Sequence, residues 1–315
     1  MLSRVAERIY WTARYLQRVE SAARLVNVYT NLLMDLPKDV DISWFNLVSL
    51  NSAEDEYEAR YKVRDERNVV KFTLADDTNS SSMLVSLAMV RENLRTTRDV
   101  MPENAWELIN ELTSFANDSI KNGGLNRGKR HEFLTQVINQ CQLIQGYVAS
   151  TLSHDDVWDM WCIGRDLERA DMTTRILDAG ANVLFAHDYR EKNHVPLIVW
   201  GSVLRSSGAD HAYRRNIAAS VVGYKVVNFL ISDEHFPRSV NYCLQAIFQG
   251  VKSLPRGRKV MTQINALDII PNDSKKKSPR FFSELDKDLS EYLNDLQLKI
   301  GQLHQIFLEN WFKLD

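Results

Sequence analysis

The stretch Arg14-Tyr-Leu-Gln-Arg-Val-Glu20, with Arg24 beyond it, recurs as Arg165-Asp-Leu-Glu-Arg-Ala-Asp171, with Arg175 beyond it. The offset is 151 residues, 165 less 14. Two more matches follow in the same order. Trp44, Leu47, Val48 and Ala53 stand opposite Trp200, Val203, Leu204 and Ala209 at an offset of 156. Val69-Val-Lys-Phe-Thr-Leu-Ala-Asp76 stands opposite Val226-Val-Asn-Phe-Leu-Ile-Ser-Asp233 at 157, and Ser82 falls opposite Ser239. Collinear matches with a slowly drifting offset indicate a repeated unit, and each copy is expected to bury its apolar face against the other. The expected copies are residues 1–150 and 151–315 of a compact domain spanning 1–315.

Working outward, the first stretch lies in a segment without Gly or Pro from Leu2 to Leu36. Apolar residues recur there every seven positions, in one row of Leu2, Ile9, Leu16 and Ala23 and a second with Val5, Val19, Val26 and Leu33. This predicts one long helix, stopped by Pro37. A second is predicted over Ser80 to Met101, led by the capping residues Asp76, Asp77, Asn79 and Ser80 and ended by Pro102. Pro102 is well placed to open the next helix, which Gly123 and Gly124 close near Asn122. Further helices are predicted over about 130–152 and 156–186, with Asp155 or Asp156 as the cap of the latter. Later breaks fall at His187 to Pro196, Ser206 to Gly208 and Asn272 to Pro279. No segment alternates with period two, and 12 Gly and 7 Pro among 315 residues are few for a sandwich or a Rossmann unit. The fold class is therefore read as all-α, an internally duplicated helical bundle with pseudo-two-fold symmetry.

With 39 basic and 41 acidic residues the net charge is −2, so no bulk field gathers nucleic acid or anionic lipid. Neither nucleic acid nor a membrane is expected as a partner. Cys141, Cys162 and Cys243 form no close pair and are expected to be free thiols. The opening residues carry Arg4, Glu7 and Arg8 where a secretory signal needs an apolar run, and a cytoplasmic location is the expectation. Phosphate-loop, dinucleotide, zinc-helix and nucleophile-elbow motifs are absent, and the seven histidines are scattered, so no metal and no cofactor are expected. Cys162 is read as packing, since Trp11 occupies its place in the other copy.

The repeated stretch carries the candidate chemistry. Glu20 and Asp171 border the apolar stripes beside Leu16 and Leu167, with Arg24 and Arg175 one turn on, at the spacing that favours an ion pair. One reading is a structural salt bridge copied by duplication. The other makes Glu20, Glu168 or Asp171 a proton carrier, with Arg18 and Arg169 stabilising negative charge. Arg14 and Arg18, like Arg165 and Arg169, share a second face that also carries Trp11 and Leu25. If the copies cross, these four guanidinium groups converge as an anion or carboxylate pocket. Arg91, Arg95 and Arg98 share a face that is either hydrated or a border for an anion. Arg205, Arg214 and Arg215 flank a Gly208 turn with His211 between, where the first copy has Asp55 and Glu58. Arg214 and Arg215 join the anion-binding candidates.

The segment Met1-Leu-Ser-Arg-Val-Ala-Glu-Arg-Ile-Tyr-Trp-Thr-Ala-Arg-Tyr-Leu-Gln-Arg-Val-Glu20, the second copy Arg165-Asp-Leu-Glu-Arg-Ala-Asp171, and Phe236-Pro-Arg-Ser239 together resemble the bacterial alpha-E family of helical proteins, named for a Glu-Arg motif. The motif stands as Glu168-Arg169 in the second copy and as Gln17-Arg18 in the first. The resemblance implies a setting: such proteins accompany a circularly permuted ATP-grasp protein and a transglutaminase-like cysteine hydrolase, a set suited to making or trimming amide-linked peptides. It brings no catalytic residues with it. The function expected on this basis is that of a partner to the ATP-grasp ligase, presenting an Arg-rich pocket to a peptide carboxylate or a phosphorylated intermediate. The alternatives are a stand-alone enzyme using Glu/Arg acid-base chemistry and a purely structural interaction module.

Overall fold

A computed structural model describes residues 3–37, 40, 42–186, 194–217, 220–269 and 287–313. The break predicted from Asn272 to Pro279, with its run of Lys275, Lys276 and Lys277, lies outside the described residues, as does most of the break predicted from His187. The regular structure of the described residues is helical, with no strand among them. In chain order the helices are α1 (Ser3–Asp35), α2 (Asn46–Leu50), α3 (Glu54–Glu58), α4 (Glu66–Ala75), α5 (Met83–Arg95), α6 (Glu103–Lys121) and α7 (Arg127–Thr151). Then follow α8 (Asp156–Ala186), α9 (Val195–Ser206), α10 (Asp210–Asn216), α11 (Gly223–Ser232), α12 (Val240–Ser253), α13 (Gly257–Asn265) and α14 (Lys287–Phe307), with a π-helical turn at Leu308–Phe312.

Two compact units divide the chain. The first holds Met1–Asn27 and Ser43–Arg165, the second Val28–Ile42 and Asp166–Asp315. The division runs through α1 and α8, so each long helix contributes residues to both units. In the first unit Ile9, Leu16, Val19, Ala23 and Val26 of α1 are fully buried, as the seven-residue rows require. The second row fades at the ends of the helix, where Val5 and Leu33 are half-buried.

Helix ends follow local chemistry. Asp65 caps α4 by accepting the Asn68 amide at 2.8 Å. Pro102 stands immediately before α6, where its fixed φ opens the helix. Gly123, at φ 83°, ends α6 as a paired backbone cap: its amide meets the Ile120 carbonyl at 3.1 Å and that of Gly124 meets Ser119 at 2.7 Å. The helix predicted over Ser80–Met101 is shorter, Met83–Arg95. Ser82 rather than Ser80 caps it, and beyond it the Thr96 and Thr97 hydroxyls turn back to the Asn93 carbonyl at 2.8 and 3.1 Å, a bonding mode that competes with helix continuation.

Local geometry recurs between the units. α2 and α9 both end in the same paired backbone cap. The left-handed residue is Ser52 at φ 52° in one and Gly208 at φ 63° in the other, and the amides of Ala53 and Ala209 reach back to Val48 and Leu204 at 3.3 and 2.7 Å. Four residues on, Tyr57 and Tyr213 are fully buried and send their hydroxyls to the backbone carbonyls of Val63 and Ser220 at 2.6 and 3.2 Å. Each stands edge-to-face with a phenylalanine, Phe72 at 5.1 Å and Phe229 at 5.8 Å between ring centres. Buried Ser82 and Ser239 cap α5 and α12, accepting the amides of Val85 and Tyr242 at 3.4 and 3.1 Å.

Candidate functional site

In the first unit α1 meets the start of α8 backbone to backbone. A Cβ on Gly164 would lie 2.3 Å from the Tyr10 carbonyl oxygen, so only glycine permits this approach. Arg14 follows Tyr10 by one helical turn and Arg165 follows Gly164 directly, so both arginines stand within one turn of the contact.

Along α1 the arginines alternate with aromatic rings. The Arg14 guanidinium lies 4.8 Å from the Trp11 ring and 5.6 Å from that of Tyr10, and donates to the Tyr10 hydroxyl at 3.2 Å. Trp11 stacks on Tyr15 with 5.1 Å between ring centres, and Arg18 lies 5.4 Å from the Tyr15 ring. Trp11, Arg14, Tyr15 and Arg18 are all half-buried. The face is therefore partly covered, and cation–π contacts hold its cations in place. On α8, Arg165 lies 5.9 Å from the Trp158 ring. Trp161, one turn earlier, is 1% exposed, and its indole N–H has no acceptor among the described residues.

Glu20 is fully buried and closely held. One carboxylate oxygen accepts from Arg24 at 2.7 Å and from Gln142 at 3.3 Å, the other from Gln145 at 3.2 Å and Gln17 at 3.5 Å. Gln17 also donates to Ser21 at 3.2 Å and accepts from Gln145 at 3.3 Å. The sequence signals Arg24 by its spacing. It gives no sign of Gln142 and Gln145, which α7 delivers from more than a hundred residues away. Burying the ion costs several kcal/mol, and this set of donors is what offsets it (about 1.5–3 kcal/mol for each bond to a charged group).

In the second unit the repeated stretch is built otherwise. Asp171 is half-buried and accepts from Arg175 at 2.9 Å. Asp166 and Glu168 are buried on either side of Leu167, and Arg169 reaches Asp166 at 3.4 Å. Asp166, which takes the place of Tyr15, is a buried acid that the repeat alone does not single out. The Thr173 hydroxyl ties this part of α8 to the Arg238 carbonyl at 2.8 Å.

The remaining basic candidates lie on the surface. Arg214 and Arg215 are exposed on α10, and Arg214 contacts Asp210 at 3.2 Å. On α5, Arg95 forks onto Glu92 at 2.8 and 2.9 Å and Arg91 donates to Asn110 at 2.7 Å. Arg98 lies past the helix end, and it and Arg91 flank the Trp106 ring at 5.0 and 5.5 Å. Cys141 and Cys243 are buried thiols and Cys162 is half-buried. Among the described residues no three His, Cys, Asp or Glu side chains gather as a metal site, and no helix is long and apolar enough to cross a membrane.

A family described as "a predicted alpha-helical domain with a conserved ER motif" matches residues 1–312. No curated protein and no solved structure matches the chain. With helices and no strand among its described residues, and with Glu168-Arg169 in place on α8, the chain belongs to the Alpha-E family.

Proposed function

We propose that the chain is an accessory partner of a circularly permuted ATP-grasp ligase, acting beside a transglutaminase-like protein in peptide or amide-bond synthesis or modification. In this reading the arginines of α1 and α8 receive a carboxylate or a phosphorylated intermediate. The observation that carries it is the aromatic ladder of α1: Arg14 and Arg18 are held against Tyr10, Trp11 and Tyr15 before any ligand arrives. A guanidinium fixed in this way loses less freedom on binding an anion than an extended one. We further infer an ancestral duplication, with copies at 1–150 and 151–315 about a pseudo-two-fold axis. The matched caps at Ser52 and Gly208, the matched tyrosines and the matched cap serines support it.

An interaction-module reading is favoured by the two ion pairs, Glu20 with Arg24 and Asp171 with Arg175, which fix side chains at like positions of α1 and α8. A stand-alone enzyme draws no support from Glu20. A carboxylate offers about four acceptor positions, and Glu20 spends them on Arg24, Gln142, Gln145 and Gln17, leaving none for a substrate proton.

The test pairs the purified chain with its ligase and follows ATP turnover. The variant carrying Arg18→Ala and Arg169→Ala is expected to lose the joint activity while helicity and melting stay nearly unchanged. A collapse in melting would move the assignment to the interaction module. Turnover of peptides and ATP by the chain alone would replace both readings with an enzyme.

A further inference from the structure

Away from α1 and α8, the first unit holds a cleft of about 690 Å³ between the start of α4 and the α6–α7 turn. That is the size of a small-molecule site (about 300–1,000 Å³). Its charged lining is Asp65, Glu66, Arg67 and Lys71 from α4 and its cap, with Arg127 and Arg130 from α7. Four cations thus face two carboxylates, and both carboxylates are engaged. Asp65 caps α4 through the Asn68 amide. Glu66 accepts from Arg127 Nε at 2.7 Å, from Arg127 Nη2, and from Arg130 Nη2 at 2.8 Å.

The cations divide into a fixed base and an open rim. Arg130 is 4% exposed, donates to the Leu125 carbonyl at 3.0 Å and lies 5.6 Å from the Trp44 ring. Arg127 is exposed although paired. Arg67 and Lys71, one turn apart on α4, are exposed, and no carboxylate pairs with either among the described residues. The cleft therefore carries an excess of two positive charges, and Glu66 demonstrates that its arginines grip a carboxylate. The same grip holds the Glu66 carboxyl below its usual range, through the hydrogen bonds of Arg127 first and then Arg130, against the opposing effect of burial.

We propose that this cleft binds a small dianion, a phosphate or a dicarboxylate, through Arg67, Lys71 and Arg127, with Glu66 as a built-in carboxylate that competes for Arg127. The ligand chemistry is two neighbouring negative charges. This site is separate from the arginines of α1 and α8 and does not rest on their role.

Titration calorimetry of the full chain with inorganic phosphate and with succinate, at fixed ionic strength and with chloride as the monoanion control, tests it. Saturable binding of either dianion in preference to chloride is expected, and the two arms report which chemistry the cleft takes. The variant Arg67→Gln with Lys71→Gln should keep the parent melting temperature and weaken binding by about tenfold or more. Glu66→Gln should tighten binding by about tenfold by releasing Arg127. Arg18→Ala with Arg169→Ala should bind as the parent does, which separates this site from the proposed function. Failure of both dianions to bind at millimolar concentration, or equal binding by the Arg67/Lys71 variant, would overturn the proposal.

Discussion

Replacing Gly164 by alanine tests whether the contact between α1 and the start of α8 is as close as the backbone geometry requires. The new methyl group would stand 2.3 Å from the Tyr10 carbonyl oxygen, 3.0 Å from its carbon and 3.2 Å from its Cα. Ordinary contact begins near 3.4 Å, so the helices must part by about 1 Å. Both obstacles are backbone, and no rotamer change relieves them. Overpacking of this kind costs roughly 3 kcal/mol at its upper end, against about 1 kcal/mol gained from the better helix propensity of alanine. A net loss of about 2 kcal/mol is expected. Gly146, in the second half of α7, supplies the control, because a Cβ there meets nothing within 4 Å. Gly146→Ala should gain about 0.5–1 kcal/mol. Urea unfolding followed by circular dichroism reads both variants as shifts in midpoint at constant slope. A Gly164→Ala protein as stable as the parent, or two variants that shift together, would refute the close crossing near which Arg14 and Arg165 stand in sequence.

Ser52→Gly should stabilise the chain by about 1 kcal/mol, because Ser52 holds a left-handed conformation that costs an L-residue about that much, while Gly208→Ala should destabilise by a like amount; melting temperatures check both. Ser239→Ala should cost more than Ser82→Ala, which should lose about 1 kcal/mol, since the Ser239 hydroxyl also donates to the Asp233 carbonyl; chemical denaturation of the two variants gives the order. Asp178→Asn should stabilise at neutral pH. Burial pushes the Asp178 carboxyl up, against hydrogen bonds from Ser290 and Asn182 and the charge of Arg175, so its favourable share of stability is present below the unfolded value of about 3.9 and is lost as pH rises through the higher folded value. The advantage of the variant should therefore grow from pH 4 to pH 7, and an advantage that shrinks over that range would contradict the assigned cause. Gln17→Glu should destabilise by on the order of 3 kcal/mol at neutral pH, since it sets a second carboxylate about 3.5 Å from that of Glu20; a denaturation series over pH should show the loss easing in acid.

How much of this was legible beforehand depended on range along the chain. α1 and α8 follow from long segments without breakers and from seven-residue rows, and the Glu20–Arg24 and Asp171–Arg175 pairs follow from four-residue spacing. The four short helices α2, α3, α10 and α13 are too short for a period to register, and tertiary packing decides them. α7 starts at Arg127, ahead of the expected 130, because a glycine at 128 is tolerated in an exposed first turn. The amide cage of Glu20 and the grip of Arg127 and Arg130 on Glu66 were invisible for a different reason. They join residues more than sixty positions apart, and nothing in one strand of sequence records which distant polar group completes a buried charge.

The contrast between Gln17 and Glu168 now has a physical cause. Beside a fully buried Glu20, a glutamate at position 17 would add a like charge three residues away on the same helix, and burial leaves no water to screen it. An amide resolves the conflict, for its nitrogen donates to Glu20 and Ser21 while its oxygen accepts from Gln145. In the repeated stretch on α8 the residue at the same spacing from Glu168 is Asp171, which is half-buried rather than fully buried, so water can screen the like charge there. The amide at position 17 thus fits the depth at which its neighbour Glu20 is buried.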